Sequence, residues 1–290
     1  MQIEVIIEKK SHKLDAEEGK TILETLQEHG IHVLTAPCGG RGRCGKCTVE
    51  VEHMGEVLAC MTKVTDGMRI TIPKVQLRAQ KSKIAENGTV THYPADDGEG
   101  LDAACDIGTT TVVCHLIDGK TGEKLATVSE PSAQRSFGAD VLSRIQAAEA
   151  GKLEILKEQI IFQIAQMLRT LQKKTGRGEQ IQRLAVVGNT VMCHLFAGIS
   201  PVSIGVTPFM PQEFFGKEYT GEQLGLTDCR SVYIAPAVAG FVGGDITSDL
   251  LAVMQKNPKE KVLLLDIGTN GEMAVGNEDQ IYCCATAVSY

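Results

Sequence analysis

The N-terminal quarter of the chain carries short apolar patterns that change period several times. Apolar residues recur at every second position over residues 1–8, which is typical of a strand with one buried face. From Thr21 they recur at helical spacing, and strand-like alternation returns over 47–51 and again over 68–72. These periods predict that residues 1–75 form an α+β domain, with a β-grasp-like sheet of short strands and one helix.

Beyond residue 100 the pattern changes to longer apolar runs, which favours an α/β fold. Apolar strands are predicted around 103–107, 184–187 and 262–266, and a glycine-containing turn follows each of them. Residues 152–174 carry one apolar stripe at helical spacing and predict a long helix packed on the core. Between the two patterns the chain is polar and rich in turn formers. We therefore predict a first domain over 1–75, a linker over 76–100, a first α/β lobe over 101–259 and the start of a second lobe over 260–290.

Four cysteines form the most specific chemical pattern in the sequence, with the spacing C-x5-C-x2-C-x12-C. Two irons need four soft sulfur ligands, and the first loop differs by one residue from the spacing of plant-type ferredoxins. Four glycines in this loop allow backbone N–H groups to approach the sulfides of a cluster. The pattern predicts a 2Fe-2S cluster held by Cys38, Cys44, Cys47 and Cys60.

Two other uses of these cysteines compete with the cluster. Structural zinc usually takes two short C-x2-C pairs, and only Cys44 and Cys47 form one. A disulfide framework needs an oxidising compartment. Cys60 follows a gap of 12 residues, much shorter than in plant-type ferredoxins, so a shortened hairpin has to bring it to the other three. The remaining cysteines lie mostly in apolar stretches, where we expect buried free thiols: Cys105, Cys114, Cys193, Cys229, Cys283 and Cys284.

Composition and charge narrow the function classes. With 290 residues, of which 43% are hydrophobic, the chain is long enough for two domains with their own cores. A net charge of −7 argues against nucleic acid as the main partner. No apolar run approaches the roughly 18 residues of a membrane helix, and the first residues lack the order of a signal peptide. We therefore expect a cytoplasmic protein that binds neither nucleic acid nor a membrane.

The tetrapeptide Asp-Ile-Gly-Thr occurs twice, at 106–109 and 266–269, each time after an apolar run and before another strand. A tight strand–turn–strand leaves outward N–H groups that can bind an anion, and an aspartate at the strand end can hold Mg²⁺ through water. Two such hairpins facing each other would clamp the phosphates of one ATP. The chain has no P-loop signature, which excludes a P-loop ATPase. Two ordinary hairpins with an aspartate at the turn remain the alternative.

These motifs resemble known families. Residues 1–75 resemble a ferredoxin domain, including the segment 55–60 that carries the fourth cysteine. The hairpins resemble the two phosphate segments of the acetate kinase, sugar kinase, Hsp70 and actin superfamily, which implies an actin-like ATPase lobe of RNase H-like type followed by an incomplete second lobe. Asp245, at a helix start near the interlobe connection, is then expected to reach magnesium-bound water. By this resemblance phosphate-1 comprises Asp106, Gly108, Thr109 and Thr110, and phosphate-2 comprises Asp266, Gly268, Thr269 and Asn270.

A ferredoxin domain fused to such a lobe resembles the reductive activators of corrinoid proteins, and the likeness extends to residues 137–141, 187–190 and 266–272. It implies ATP and Mg²⁺ as cofactors beside the 2Fe-2S cluster, and an external low-potential reductant. It also implies transfer of one electron to an inactive cobalt(II) corrinoid protein or corrinoid-dependent methyltransferase. The alternatives are a plain electron carrier with a non-hydrolysing interaction domain, and an activator of another low-potential enzyme. A homodimer is compatible with the sequence.

The C-terminal end departs from this resemblance. The superfamily needs a complete second lobe, whereas the chain ends about 20 residues after phosphate-2. Residues 281–287 still resemble the family, and the last three residues do not. The sequence therefore predicts a truncation or frameshift near Ala287, or a fragment of a longer protein.

Overall fold

In a computed structural model the chain forms two compact units. The first unit combines the described part of Met1–Lys83 with Ala133–Ala150, and the second combines the described parts of Ile84–Ser132 and Gly151–Tyr290. The predicted linker over 76–100 lies largely outside the described residues. The structure describes residues 1–31, 33–36, 38–73, 93, 98–255, 259–268 and 270–287.

The first unit is built on a mixed five-stranded sheet with the order β2-β1-β5-β3-β4, in which β1 and β5 run parallel. Alternating apolar residues such as Val5, Val49 and Ile70 face its core and are fully buried. The helix begins where Thr21 and Glu24 exchange side-chain and backbone hydrogen bonds in a capping box. The predicted ferredoxin-like α+β domain is confirmed. Its elements are β1 (Gln2–Ile7), β2 (Lys10–Asp15), α1 (Ile22–Glu28), β3 (Thr48–Val51), β4 (Gly55–Leu58) and β5 (Arg69–Thr71).

The remaining chain continues with nine strands and five α-helices among the described residues. Their bounds are β6 (Leu101–Ile107), β7 (Thr111–Asp118), β8 (Lys124–Pro131), α2 (Val141–Ala147), α3 (Leu153–Thr175), β9 (Ile181–Val187), α4 (Thr190–Ala197), β10 (Lys217–Thr220), α5 (Gly221–Leu224), β11 (Cys229–Ile234), α6 (Gly244–Met254), β12 (Val262–Ile267), β13 (Asn270–Asn277) and β14 (Gln280–Ala287).

The second unit contains a six-stranded sheet with the order β10-β11-β9-β6-β7-β8. Strands β11, β9 and β6 run parallel, and β6, β7 and β8 form an antiparallel meander, so the observed sheet carries the predicted α/β lobe. Helix α3 buries its predicted stripe, since Leu156, Ile160 and Ile164 are fully buried. Among the described residues no helix combines the length and the apolar character needed to cross a membrane.

A separate antiparallel sheet, β12-β13-β14, holds the second Asp-Ile-Gly-Thr sequence at the end of β12. Helix α6 packs on one face of this sheet through Ile246 and Leu250, which meet Leu264 and Ala274. Both predicted hairpins are therefore present in the same unit.

Residues Ala133–Ala150 form an arm that packs with the ferredoxin-like domain in the first unit. The Gln27 Nε2 atom donates a buried hydrogen bond of 2.8 Å to the backbone carbonyl of Ser136. Helix α2 in this arm begins at Asp140, whose side chain accepts from the N–H of Ser143. Val141 and Ile145 of this helix are buried, whereas the side chain of Leu142 is 52% exposed.

Cys105 and Cys114 form a disulfide bond. The expectation of free thiols at these two positions was therefore wrong. They lie directly opposite each other on the antiparallel pair β6–β7, which brings their sulfurs together. Cys193 and Cys229 are buried free thiols as expected, whereas Cys284 is exposed.

We expect Cys105 and Cys114 to resist alkylation in unfolded, unreduced protein, while Cys193 and Cys229 react. Replacing both bonded cysteines by alanine removes a short covalent loop and should lower the free energy of unfolding by about 2–3 kcal/mol. Peptide mass spectrometry and urea unfolding measure the two effects. Full alkylation of Cys105 without reductant would contradict the bond.

Candidate functional site

The four loop cysteines approach each other as two pairs. The sulfurs of Cys38 and Cys44 are 3.3 Å apart, and the thiols of Cys47 and Cys60 share a hydrogen bond. Among the described residues, no three His, Cys, Asp or Glu side chains converge as the ligands of one ion would. A structural zinc ion takes four ligands at one point, whereas each iron of a two-iron cluster takes two cysteines. The pairing therefore fits the cluster better than zinc.

The short gap before Cys60 is explained by the hairpin β3–β4. Thr48 pairs with Leu58 at the open end of the hairpin, so the chain returns at once to the level of Cys47. The N–H of Ala59 donates to the carbonyl of Cys47 at 2.9 Å and fixes the position of the next residue. Cys60 therefore lies next to Cys47, although only a short hairpin separates them in the sequence.

Backbone N–H groups of the loop point at the sulfur of Cys38. Burial by itself raises the pKa of this thiol, but hydrogen bonds from the N–H and the thiol of Cys44 and from the N–H groups of Arg43 and Arg41 outweigh it and lower the pKa to about 6. The loop needs glycine at Gly42, where φ is +70° and an added Cβ would lie 2.8 Å from the Met61 sulfur. A loop that stabilises thiolate in this way suits iron coordination.

The other pair has a different environment. Burial and the neighbouring sulfur of Cys47 raise the pKa of Cys60 to about 12. Two thiolates this close and this buried repel each other unless a cation lies between them. The donor set therefore fits a group that brings positive charge, as the irons of a 2Fe-2S cluster do.

At the first Asp-Ile-Gly-Thr hairpin, three segments of the second unit meet. The side-chain amide of Asn189 donates to the hydroxyl of Thr109 at 3.0 Å, and its carbonyl oxygen caps helix α4. The N–H of Asp245 donates to the carbonyl of Gly188 at 3.2 Å, which ties the start of α6 to the end of β9. The phosphate-1 turn, the β9–α4 turn and the start of α6 therefore meet at one place, which we call the recess.

Two glycines allow the backbones in this recess to approach closely. A Cβ at Gly108 would lie 2.6 Å from the carbonyl oxygen of Thr111, and one at Gly243 would lie 2.5 Å from Cα of Asn189. Neither position could carry a side chain without moving backbone atoms. This closeness explains why glycine stands in the turn and at the start of α6.

Carboxylates from three elements surround the recess. Desolvation, followed by the charges of Asp245, Asp249 and Asp266, raises the pKa of Asp106 to about 7, although solvent reaches its side chain. Desolvation likewise raises the pKa of Asp245 to about 6. Such mutual repulsion is relieved by a divalent cation, so the donor set fits Mg²⁺. Since no three carboxylates converge on one point in the described part, water would complete its coordination.

The sequence missed two members of this carboxylate group. Asp249 lies one helical turn after Asp245 on α6, and desolvation raises its pKa. Glu272 lies opposite Asp266 on the β12–β13 pair and is buried, and desolvation with the charges of Asp245 and Asp266 raises its pKa to about 7. The i,i+4 spacing and the hairpin register were the signals that could have found them.

The second hairpin contributes Asp266 at the end of β12 and Asn270 at the start of β13. The charge of Asp266 acts on both Asp106 and Asp245, so the structure brings the two hairpins to the same recess. The N–H of Gly268 donates to the carbonyl of Asn270 at 2.9 Å and is used within the turn. Thr269, the remaining predicted phosphate-2 residue, lies outside the described residues.

The raised pKa values predict a specific pH dependence. In the unfolded chain these carboxyls lose their protons near pH 4, whereas the folded chain holds the Asp106 proton to about pH 7. The folded state then binds more protons, so the free energy of unfolding should fall as the pH rises from about 4 to 7. Solvent screening limits the Asp106 contribution to about 1 kcal/mol.

Urea unfolding across this range, with and without Mg²⁺, measures the effect. Mg²⁺ should reduce the decrease in the free energy of unfolding, because it replaces the proton. In Asp106→Asn this decrease with pH should be smaller than in the parent chain. An unchanged slope in Asp106→Asn would contradict the assignment.

Together, the fold and the site define a 2Fe-2S ferredoxin-type domain joined to an actin-like ATPase-type fold. Residues 101–257 match the family described as the RACo middle region. Because this match spans more than half of the sequence, the chain belongs to the RACo family. Residues 4–74 match the 2Fe-2S iron-sulfur cluster binding domain, and residues 260–288 match the C-terminal domain of RACo, the ASKHA domain.

Two curated relatives carry related names. The corrinoid activation enzyme RamQ of Eubacterium limosum is 28% identical, over 88% of this chain and 56% of its own length. The [Co(II) methylated amine-specific corrinoid protein] reductase of Methanosarcina barkeri is 27% identical, over 63% of this chain and 35% of its own length. The chain therefore spans about half or less of the curated relatives it matches.

A solved structure has a similar fold. The reductive activator for corrinoid, iron-sulfur protein superposes with a TM-score of 0.62 and 27% identity, over 98% of this chain and 63% of the other. The likeness covers both the ferredoxin-like domain and the second unit.

Proposed function

We propose that this chain is an ATP-dependent reductive activator that transfers one electron to an inactive cobalt(II) corrinoid protein of a methyltransferase system. The observation that carries the proposal is the coexistence of two cysteine pairs and a carboxylate recess in one chain of the RACo family. The names of the relatives support the choice of a corrinoid protein as acceptor.

In this proposal each site residue has a stated task. The 2Fe-2S cluster supplies a one-electron carrier, with a potential of roughly −400 mV in plant-type ferredoxins. Cys38, Cys44, Cys47 and Cys60 hold it, and loop N–H groups tune the sulfurs. Asp106, Asp245 and Asp266 hold hydrated Mg²⁺. Gly108, Thr109, Thr110, Gly268, Thr269 and Asn270 bind the phosphates.

ATP is needed for a thermodynamic reason. A donor at this potential cannot easily reduce an acceptor of lower potential, but nucleotide binding can favour the conformation in which the transfer proceeds. An external low-potential reductant, Mg²⁺ and ATP are therefore part of the proposal. A cytoplasmic setting is also part of the proposal.

The test uses a corrinoid protein of a methylamine methyltransferase system in its cobalt(II) form. The reduced chain is mixed with it under anaerobic conditions, and the cobalt(II) signal is followed by electron paramagnetic resonance. We expect the signal to disappear only with Mg–ATP, at one electron per cobalt. Equal rates with and without Mg–ATP would contradict the proposal and favour a plain electron carrier.

A further inference from the structure

The four ligand sulfurs differ in how close they lie to solvent. Cys47 and Cys60 are 1% and 7% exposed, whereas Cys38 and Cys44 are half-buried. Because electron transfer between proteins favours the shortest path to a partner, the side with Cys38 and Cys44 is where a redox partner has to approach. The surroundings of these two residues therefore decide which partner the loop accepts.

One flank of this side is closed by the arm Ala133–Ala150. A Cβ at Gly39 would lie 3.4 Å from the carbonyl oxygen of Phe137 and 3.8 Å from Cβ of Ser143, so the arm is in contact with the loop there. The buried hydrogen bond from Gln27 to Ser136 holds the arm in place. The arm therefore occupies this flank of the loop.

The rest of the loop is positively charged. Arg41, Arg43 and Lys46 are exposed, and the sequence holds no Asp or Glu between Glu28 and Glu50. The whole chain carries a net charge of −7, so this local charge is opposite in sign to the average surface. Next to it the apolar side chain of Met61 is 62% exposed and covers Gly42.

We propose that Arg41, Arg43 and Lys46 form a basic rim that docks an acidic electron-transfer protein against Cys38 and Cys44. The proposal rests on the proposed function and names the chemistry of its redox partner. An acidic partner is repelled by a chain of net negative charge unless the contact surface itself is positive. The rim supplies that attraction over about one Debye length, close to 10 Å, and Met61 adds an apolar contact.

The first test measures the field at the rim with small charged oxidants. The cluster-loaded chain is reduced, and its oxidation by anionic ferricyanide or cationic hexaamminecobalt(III) is followed in a stopped-flow instrument. In each reaction the chain loses one electron and the oxidant gains it, with no proton transferred. The variant Arg41→Gln/Arg43→Gln is compared with Lys10→Gln/Lys13→Gln, which removes the same charge from exposed positions on β2.

For the parent chain we expect ferricyanide oxidation to slow with added salt, because salt screens an attraction. The rim variant should react about fivefold more slowly with ferricyanide and faster with the cobalt complex, and the β2 variant should match the parent. Ferricyanide oxidation that speeds up with salt in the parent chain, or equal effects of the two variants, would overturn the proposal.

A second readout needs no cluster. In the iron-free chain, the ratio of alkylation rates with anionic iodoacetate and neutral iodoacetamide at Cys44 reports the local potential. We expect this ratio to fall severalfold in the rim variant and in Arg41→Gln alone, but not in the β2 variant. An unchanged ratio would overturn the basic rim. Neither readout uses ATP or a corrinoid. A failure of the basic rim can therefore be distinguished from a failure of the proposed function.

Discussion

Cys44→Ala should lose the visible absorption of the 2Fe-2S cluster, with at least about tenfold less iron per chain than the parent after anaerobic reconstitution. The sulfur of Cys44 lies 3.3 Å from that of Cys38, so its removal leaves one iron with a single cysteine. Cys60→Ala should have the same effect. The thiols of Cys60 and Cys47 form a hydrogen bond, so they lie close enough to bind the same iron. Iron analysis and absorption spectra measure both results.

The control for these variants is Cys229→Ala. Cys229 is a buried free thiol on β11 in the second unit, so its replacement should leave the cluster intact. A Cys60→Ala chain that keeps its full cluster would show that the fourth ligand has been assigned wrongly. Loss of cluster in the Cys229→Ala chain would show that the measurement reports general misfolding.

Asp106→Asn should reduce Mg–ATP-dependent electron delivery by about 10- to 100-fold, the usual range for a group that orients a metal ion through its ligands. The substitution keeps the size of the side chain and removes the charge that would hold hydrated Mg²⁺. The apo chain should become slightly more stable at neutral pH, because one member of the repelling group with Asp245 and Asp266 is now neutral.

Glu158→Gln removes the same charge from an exposed position on α3 and serves as the control. It should leave electron delivery unchanged. Ferricyanide oxidation of the reduced cluster should be equal in both variants, since that reaction uses no nucleotide. Full Mg–ATP dependence in Asp106→Asn would remove Asp106 from the nucleotide site.

The sequence was most informative where the chemistry of a site restricts both the residue type and the spacing. The ligands of a ferredoxin-type two-iron cluster are cysteines at a narrow set of spacings, so the sequence alone was enough to propose Cys38, Cys44 and Cys47 as ligands. The two Asp-Ile-Gly-Thr turns could be found because they repeat in the same context. Their binding roles stay a prediction, with Thr269 outside the described residues.

Other features depend on register and were missed. Once the turn after Ile107 is assigned, Cys105 faces Cys114 across the hairpin, but the sequence alone does not show that the two are bonded. Glu272 faces Asp266 for the same reason. These pairs follow from the turn position, so hairpin register is a usable signal.

The arm could not have been predicted in this way. Gln27 and Ser136 are 109 residues apart, and no local period relates them. Ala133–Ala150 also lies within the sequence matched to the RACo middle region, although it packs with the ferredoxin-like domain. Long-range packing of this kind is decided by the tertiary fold rather than by local patterns.

If this chain joins an iron–sulfur carrier to a nucleotide site, calorimetric titration should detect binding of Mg–ATP to the cluster-loaded chain. We expect saturable binding that requires Mg²⁺, is about 10- to 100-fold weaker in Asp106→Asn and is unchanged in Glu158→Gln. Absence of any binding heat in the parent chain, with its cluster intact, would mean that the chain holds no nucleotide site.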